Sequence, residues 1–139
     1  MSIQVVFFDI GDTLISRKAW LPGAKQMLAD LRAKGIRIGL ISNTGRMSRD
    51  ELQGMLPEGF DFDEFEEGLV MLSSEVGIEK PRITIFSLAI HHAGVPPWAT
   101  MFVTETLGHS LAAQSAGMMA ARIDGTESDF IKLAKSVIG

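Results

Sequence analysis

The stretch Ile3-Gln4-Val5-Val6-Phe7-Phe8-Asp9-Ile10-Gly11-Asp12-Thr13-Leu14 sets an apolar run of strand-type residues against an acid. A turn containing glycine and a hydroxyl residue follows at once. A run of this length and composition predicts a fully buried strand. Open α/β folds bind their ligands at the carboxyl ends of such strands, so Asp9 is delivered to that edge. There it serves as a nucleophile, a metal ligand or both; the plainer alternative is an acid that caps a turn.

Working outward, Arg17 to Leu21 reads as a short connection. Pro22 and Gly35 bracket a helix over Gly23 to Lys34, with Ala24, Met27, Leu28 and Leu31 on one face. Ile36 to Ile41 is a second apolar strand, ending in the polar turn Ser42-Asn43-Thr44-Gly45. Met47 to Leu56 suits a helix closed by Pro57. Glu58 to Glu67 interleaves six carboxylates with Phe60, Phe62 and Phe65, which reads as a solvated loop pinned by its aromatics. Strands are expected at Leu69 to Leu72, Met101 to Val103 and Met118 to Ile123. Helices are expected at Arg82 to Ala93, Ser110 to Ala116 and Ser128 to Val137. Such alternation implies parallel strands joined by right-handed crossovers. The expectation is one domain over 1–139, a doubly wound five-stranded α/β sheet with helices on both faces.

Composition narrows the function classes. At 139 residues the chain can bury a real core, and 46% of it is hydrophobic. A net charge of −4 gives no footprint for nucleic acid or for an anionic membrane surface. With no cysteine, disulfides, thiolate metal sites and cysteine nucleophiles are excluded. No apolar stretch approaches the roughly 20 residues that span a bilayer, and Asp9 interrupts the N-terminal apolar run as no signal peptide would. A cytoplasmic protein is the default expectation.

Polar residues follow the apolar runs at four strand ends: Asp9, Ser42, Ser73-Ser74 leading to Lys80, and Thr104-Glu105. If the strands are parallel, all four meet on one edge. A carboxylate, a hydroxyl, an ammonium and a second carboxylate suit phosphoryl chemistry. Two acids hold Mg²⁺, the lysine and the metal balance phosphate charge, and the hydroxyl donates to an equatorial oxygen. Asp9 would then form an aspartyl-phosphate that water cleaves.

In this order and spacing the chain resembles the haloacid dehalogenase (HAD) superfamily over nearly its whole length. The family's Asp-x-Asp-x-Thr/Val motif resembles Asp9-Ile10-Gly11-Asp12-Thr13, and its strand ending in Ser or Thr resembles Leu40-Ile41-Ser42-Asn43. Its Lys-Pro segment resembles Ser73 to Pro81, ending in Lys80-Pro81. The resemblance implies a phosphatase with Asp9 as nucleophile and Thr13 and Ser42 assisting. Ser42, Asn43 and Lys80 would meet the substrate, and Asp9, the Gly11 carbonyl and Glu105 would hold Mg²⁺. The substrate would be a phosphorylated small molecule or macromolecule.

Two positions depart from that pattern. The acid two places beyond the nucleophile, the family's general acid and base, is Gly11; Asp12 either swings into that role or stabilises the turn. In the fourth motif, Thr104-Glu105-Thr106-Leu107-Gly108-His109, a histidine replaces an acid, and it reads as a helix-start residue. A catalytically impaired binding module is therefore the second reading. His91 and His92 read as helix surface. Seven residues between Leu14 and Pro22, and 37 between Ser42 and Lys80, leave no room for the family's cap domain. An open site of this kind would take a large substrate, remain unselective or borrow a wall from a neighbouring subunit in a homo-oligomer. Trp20 is either such a wall or packs under the first crossover.

Overall fold

The structure is a computed structural model and describes residues 2–139. The chain runs β1 (Val5–Phe8), β2 (Ile15–Ser16), β3 (Ala19–Trp20), α1 (Ala24–Ala33), β4 (Arg37–Ser42), α2 (Arg49–Gln53) and β5 (Val70–Leu72). It continues through α3 (Ser73–Val76), α4 (Ile83–Ala93), β6 (Thr100–Thr104), α5 (Leu107–Ser115), β7 (Met119–Arg122) and α6 (Glu127–Ile138). Five strands form one parallel sheet in the order β5-β4-β1-β6-β7. The doubly wound architecture expected from the alternation is present, and the described residues contain no cap domain.

The winding positions the site. From β1 the chain steps outward through β4 to β5, then returns to the other side of β1 for β6 and β7. Strand order therefore reverses between β1 and β6, and the crevice at their carboxyl ends is where such sheets hold ligands. Asp9 follows β1 and Glu105 follows β6, so both acids border that crevice.

All four β1 side chains are fully buried because the strand is covered on both faces. The period of two divides them. Val6 and Phe8 face a layer built from Met27, Leu28 and Leu31 of α1 with Phe130 and Leu133 of α6. Val5 and Phe7 face Ile85, Phe86 and Ala89 of α4 and Ala113 of α5. Each large apolar side chain buried this way contributes roughly 1.5–3 kcal/mol.

Three sequence expectations change. The segment Arg17 to Leu21 is not a plain connection. With Ile15 and Ser16 it folds into the antiparallel β2–β3 hairpin, pairing Ile15 with Trp20 and Ser16 with Ala19. Its turn residues Arg17 and Lys18 have φ of 52° and 63°. Asn-Gly is the usual pair there, because longer side chains cost about 1 kcal/mol or more each in that region. The helix expected over Met47 to Leu56 shrinks to Arg49–Gln53, since Gly54 caps it; a capping box between Ser48 and Glu51 fixes its start. Helix α5 begins at Leu107 rather than Ser110, its onset masked in the sequence by Gly108, a weak helix former.

The acidic loop behaves as its composition suggests. Phe60, Phe62 and Phe65 are buried, while Glu64, Glu66 and Glu67 pair with Arg32, Arg37 and Arg49. Arg37 also donates to the Ala93 carbonyl, tying β4 to the end of α4. The Trp20 ring stacks on Phe60 with centroids 5.3 Å apart, so it packs rather than forming an exposed wall. His91 and His92 are exposed on α4. Among the described residues no helix is long and apolar enough to cross a membrane.

Gly39 in β4 is needed for space. A Cβ there would lie 2.5 Å from the Leu69 carbonyl oxygen and 2.8 Å from Phe7 Cδ1, both in the buried layer under α4. Gly39→Ala should therefore destabilise the fold by about 1–3 kcal/mol, the usual cost of overpacking, read as a lowered midpoint in urea denaturation; an unchanged midpoint would contradict this packing.

Candidate active site

Asp9 sits one residue beyond β1, with its N–H donating to the Val103 carbonyl of β6 at 3.1 Å. Its Oδ1 accepts the Ile10 N–H at 2.8 Å, and Lys80 Nζ approaches the same oxygen at 2.8 Å. The Asp9 side chain keeps 12% of its surface exposed and the Lys80 side chain only 1%. The acid is thus reachable from solvent while its counter-ion stands behind it. Lys80 Nζ also lies 5.4 Å from the centre of the Phe102 ring, a cation–π contact. Burial lowers the Lys80 pKa below the ordinary lysine value, and the Asp9 carboxylate offsets part of that shift.

How Lys80 comes to rest there was hidden in the sequence. Asn43 Nδ2 donates to the Lys80 carbonyl at 3.0 Å, and the Lys80 N–H donates to Asn43 Oδ1 at 2.8 Å. The amide expected to meet substrate grips the lysine's backbone from both sides. The next residue secures that loop: the Thr44 N–H donates to Ser73 Oγ, its hydroxyl to Ser74 Oγ, and the Ser74 N–H returns to Thr44 Oγ1, all within 2.8–3.0 Å. Ser42 is buried at the end of β4 and lines the hollow beside Gly11 and Asn43.

Thr13 is fully buried, and its Oγ1 accepts the Glu105 N–H at 3.3 Å, binding the first loop to the fourth. The Glu105 carbonyl accepts from Arg122 Nε at 3.1 Å, and its Oε1 accepts from the Thr106 hydroxyl at 2.9 Å. Arg122 is a support the sequence reading missed; it stands opposite Thr104 in the β6–β7 register, a pairing that no local sequence signal marks.

Gly11 is exposed, and a Cβ added there would meet no atom within 4 Å. Asp12 is exposed with φ 56°, a conformation Asp tolerates better than most residues. It lines both hollows at this edge. One, of about 580 Å³, holds Gly11, Ser42, Asn43 and the hairpin turn; the other, of about 790 Å³, holds Glu105, Arg122, Asp124 and Asp129.

His109 lies in the first turn of α5, as expected of a helix-start residue, and it also belongs to the site. Its Nδ1 is buried with no hydrogen-bond partner among the described residues. Burial holds its pKa below the ordinary histidine value, the Lys80 ammonium adds to that, and the Asp9 and Glu105 carboxylates pull the other way. One imidazole thus senses all three charged groups of the site.

Among the described residues no three Asp, Glu, His or Cys side chains converge into a closed metal cage. Asp9, Glu105 and the Gly11 carbonyl, on loops at the same sheet edge, offer hard oxygen donors only. A hard divalent ion that keeps its waters and shares substrate phosphate needs no more than one or two carboxylates. The donor chemistry fits Mg²⁺ better than a metal requiring nitrogen or sulfur.

Comparison with known proteins agrees with this geometry. The family model for haloacid dehalogenase-like hydrolases matches residues 6–80. A glyceraldehyde 3-phosphate phosphatase of Methanothermobacter thermautotrophicus is 36% identical over 104 residues, covering 74% of this chain and 44% of that protein. The haloacid dehalogenase-like hydrolase domain-containing protein 3 of Mus musculus is 33% identical over 109 residues, covering 77% and 41%. The chain thus spans less than half the length of these curated relatives. The solved structure of a HAD phosphatase from Thermococcus onnurineus superimposes with a TM-score of 0.69 at 20% identity, covering 88% of this chain and 86% of that one. With the family model matching more than half of its length, and the sheet and strand-end loops arranged as described, the chain belongs to the haloacid dehalogenase-like hydrolases.

Proposed function

We propose that this hydrolase is a Mg²⁺-dependent phosphomonoester phosphatase working through an aspartyl-phosphate on Asp9. The observation that carries the reading is a partly exposed carboxylate at the β1–β6 crevice with a buried ammonium 2.8 Å from one of its oxygens. The relatives named as phosphatases support the reaction class.

An Asp9 carboxylate oxygen would attack the ester phosphorus as the bond from phosphorus to the alcohol oxygen breaks. Water then attacks the same phosphorus, the Asp9–phosphorus bond breaks, and inorganic phosphate leaves with the carboxylate restored. Lys80 neutralises the phosphoryl oxygens, and its Asn43 grip fixes where that charge stands. The Ser42 hydroxyl donates to a phosphoryl oxygen, and Thr13 acts through Glu105 by holding its backbone. Asp9, the Gly11 carbonyl and Glu105 would hold Mg²⁺, which adds positive charge where the phosphoryl oxygens gather it. No side chain at Gly11 protonates the departing alcohol, so that proton comes from solvent through the open site, and turnover is slow. Gly11 and His109 also favour the second reading, a phosphate-binding module without turnover; retained phosphate affinity with no hydrolysis would distinguish it.

Phosphate release from a panel of monoesters, with Mg²⁺ and with EDTA, tests the proposal. Asp9→Asn should abolish release, and equal rates for variant and parent would refute the assignment of the nucleophile. Gly11→Asp should raise kcat by about 10²–10⁴-fold, the usual contribution of a positioned acid, because the space for it is open; no gain would mean that Asp12 or another group already fills the role. Since burial lowers the Lys80 pKa and the protonated amine is the active form, kcat/KM should decline on the alkaline side below pH 10.5, the ordinary lysine value. A profile flat up to that pH would remove Lys80 from phosphate neutralisation.

A further inference from the structure

The β2–β3 hairpin carries two features the reaction does not use. Arg17 and Lys18, adjacent at its turn, are exposed, and among the described residues neither has an ion-pair partner. Both hold positive φ, 52° and 63°, where long side chains are disfavoured and an Asn-Gly pair would be relaxed. Backbone strain kept at a site's rim points toward a role for the side chains that bear it.

Their position gives that role a chemistry. Arg17 and Lys18 line the hollow of about 580 Å³ that also contains Gly11, Ser42 and Asn43, the residues beside the nucleophile. Its apolar lining comes from Ile10, Ile15, Leu52, Met55 and Leu56, with Met55 59% exposed. Asp12 is the one acid among the lining residues, so the turn leaves an excess of positive charge there. That excess runs against a chain whose net charge is −4. Asp9 and Lys80 balance each other and add nothing to it. A phosphomonoester with its phosphate at Asp9 would extend its carbon skeleton along the apolar lining toward two cations that no ion pair holds.

We propose that Arg17 and Lys18 form a second anion subsite, selecting phosphomonoesters that carry another anionic group, a carboxylate or a second phosphate, a few carbons from the scissile one. That these esters are turned over rests on the phosphatase reading; the subsite itself does not. An anion at that distance would be held by charge with little geometric demand, because both side chains are long and solvated. Selectivity would be moderate and sensitive to salt.

The test compares matched esters: 3-phosphoglycerate against glycerol 3-phosphate for a carboxylate, and fructose 1,6-bisphosphate against fructose 6-phosphate for a phosphate. The parent should prefer the more anionic member of at least one pair by about tenfold in kcat/KM, shrinking as salt rises from about 0.02 M to about 0.5 M. Which pair shows the preference identifies the second group. The double variant Arg17→Asn, Lys18→Gly places the relaxed turn pair in the hairpin, so the fold is kept while both charges go. Its preference ratio should fall to near one. Equal kcat/KM within both pairs for the parent, or a ratio that survives the double variant, would overturn the subsite. Should no ester be hydrolysed, the phosphatase reading fails, and equilibrium binding of the same esters to the parent and to the variant decides the subsite. A tighter anionic member, lost in the variant, supports it; equal affinities overturn it.

Discussion

A charged amine enclosed by protein with one carboxylate for company is the constraint around which this edge of the molecule is organised. Taking Lys80 out of water is costly, and the interior repays that cost only with a well-placed opposite charge and satisfied backbone partners. Asp9 supplies the charge at 2.8 Å, the Phe102 ring supplies a favourable face, and Asn43 occupies the backbone groups of the lysine. Remove the acid and a cation is stranded; remove the lysine and a partly buried anion loses its partner. The two residues lie 71 positions apart, so the pair also joins the first loop of the sheet to the third. Reaction chemistry and structural integrity therefore draw on one contact.

The topology explains why that contact could form. Parallel strands deliver every carboxyl end to the same edge, and the reversal of winding between β1 and β6 opens a gap there that no crossover covers. Hydrogen bonds from a backbone N–H of one loop to a side-chain hydroxyl of another then tie the four segments together. The Glu105 N–H on Thr13 and the Thr44 N–H on Ser73 are two such ties. Without a cap over the described residues, the gap remains open to solvent. Among the described residues the short β2–β3 hairpin and the Leu52–Leu56 segment stand at its rim.

Much of this was legible in the residues themselves. The Val5–Phe8 run needed only its apolar composition and abrupt end, because burial on both faces leaves no polar alternation to misread. The α1 face, Ala24, Met27, Leu28 and Leu31, followed from helical spacing and is the buried set observed. The hairpin escaped notice because each strand has two residues and its turn lacks the Asn-Gly signature. Asn43 was placed at this edge, but its hold on Lys80 was not foreseen, since a side chain gripping a backbone 37 residues away leaves no local trace. His109 looked ordinary for a like reason: its proximity to Lys80 and Asp9 is created by tertiary structure alone.

The interlock of Thr44 with Ser73 and Ser74 bears on how this protein can drift over generations. Those three hydroxyl residues sit at the tips of neighbouring strands β4 and β5, so the lattice of the sheet itself sets where the segment toward Lys80 departs, and Asn43 sets where it arrives. Between those two moorings, Glu75 and Gly77 to Glu79 follow the surface with the ends of their path already decided. Lineages can vary the exposed Glu79 there, while Glu75 keeps its ion pair with Arg49, Gly77 its left-handed backbone, Ile78 its apolar contact and the ammonium inside its address.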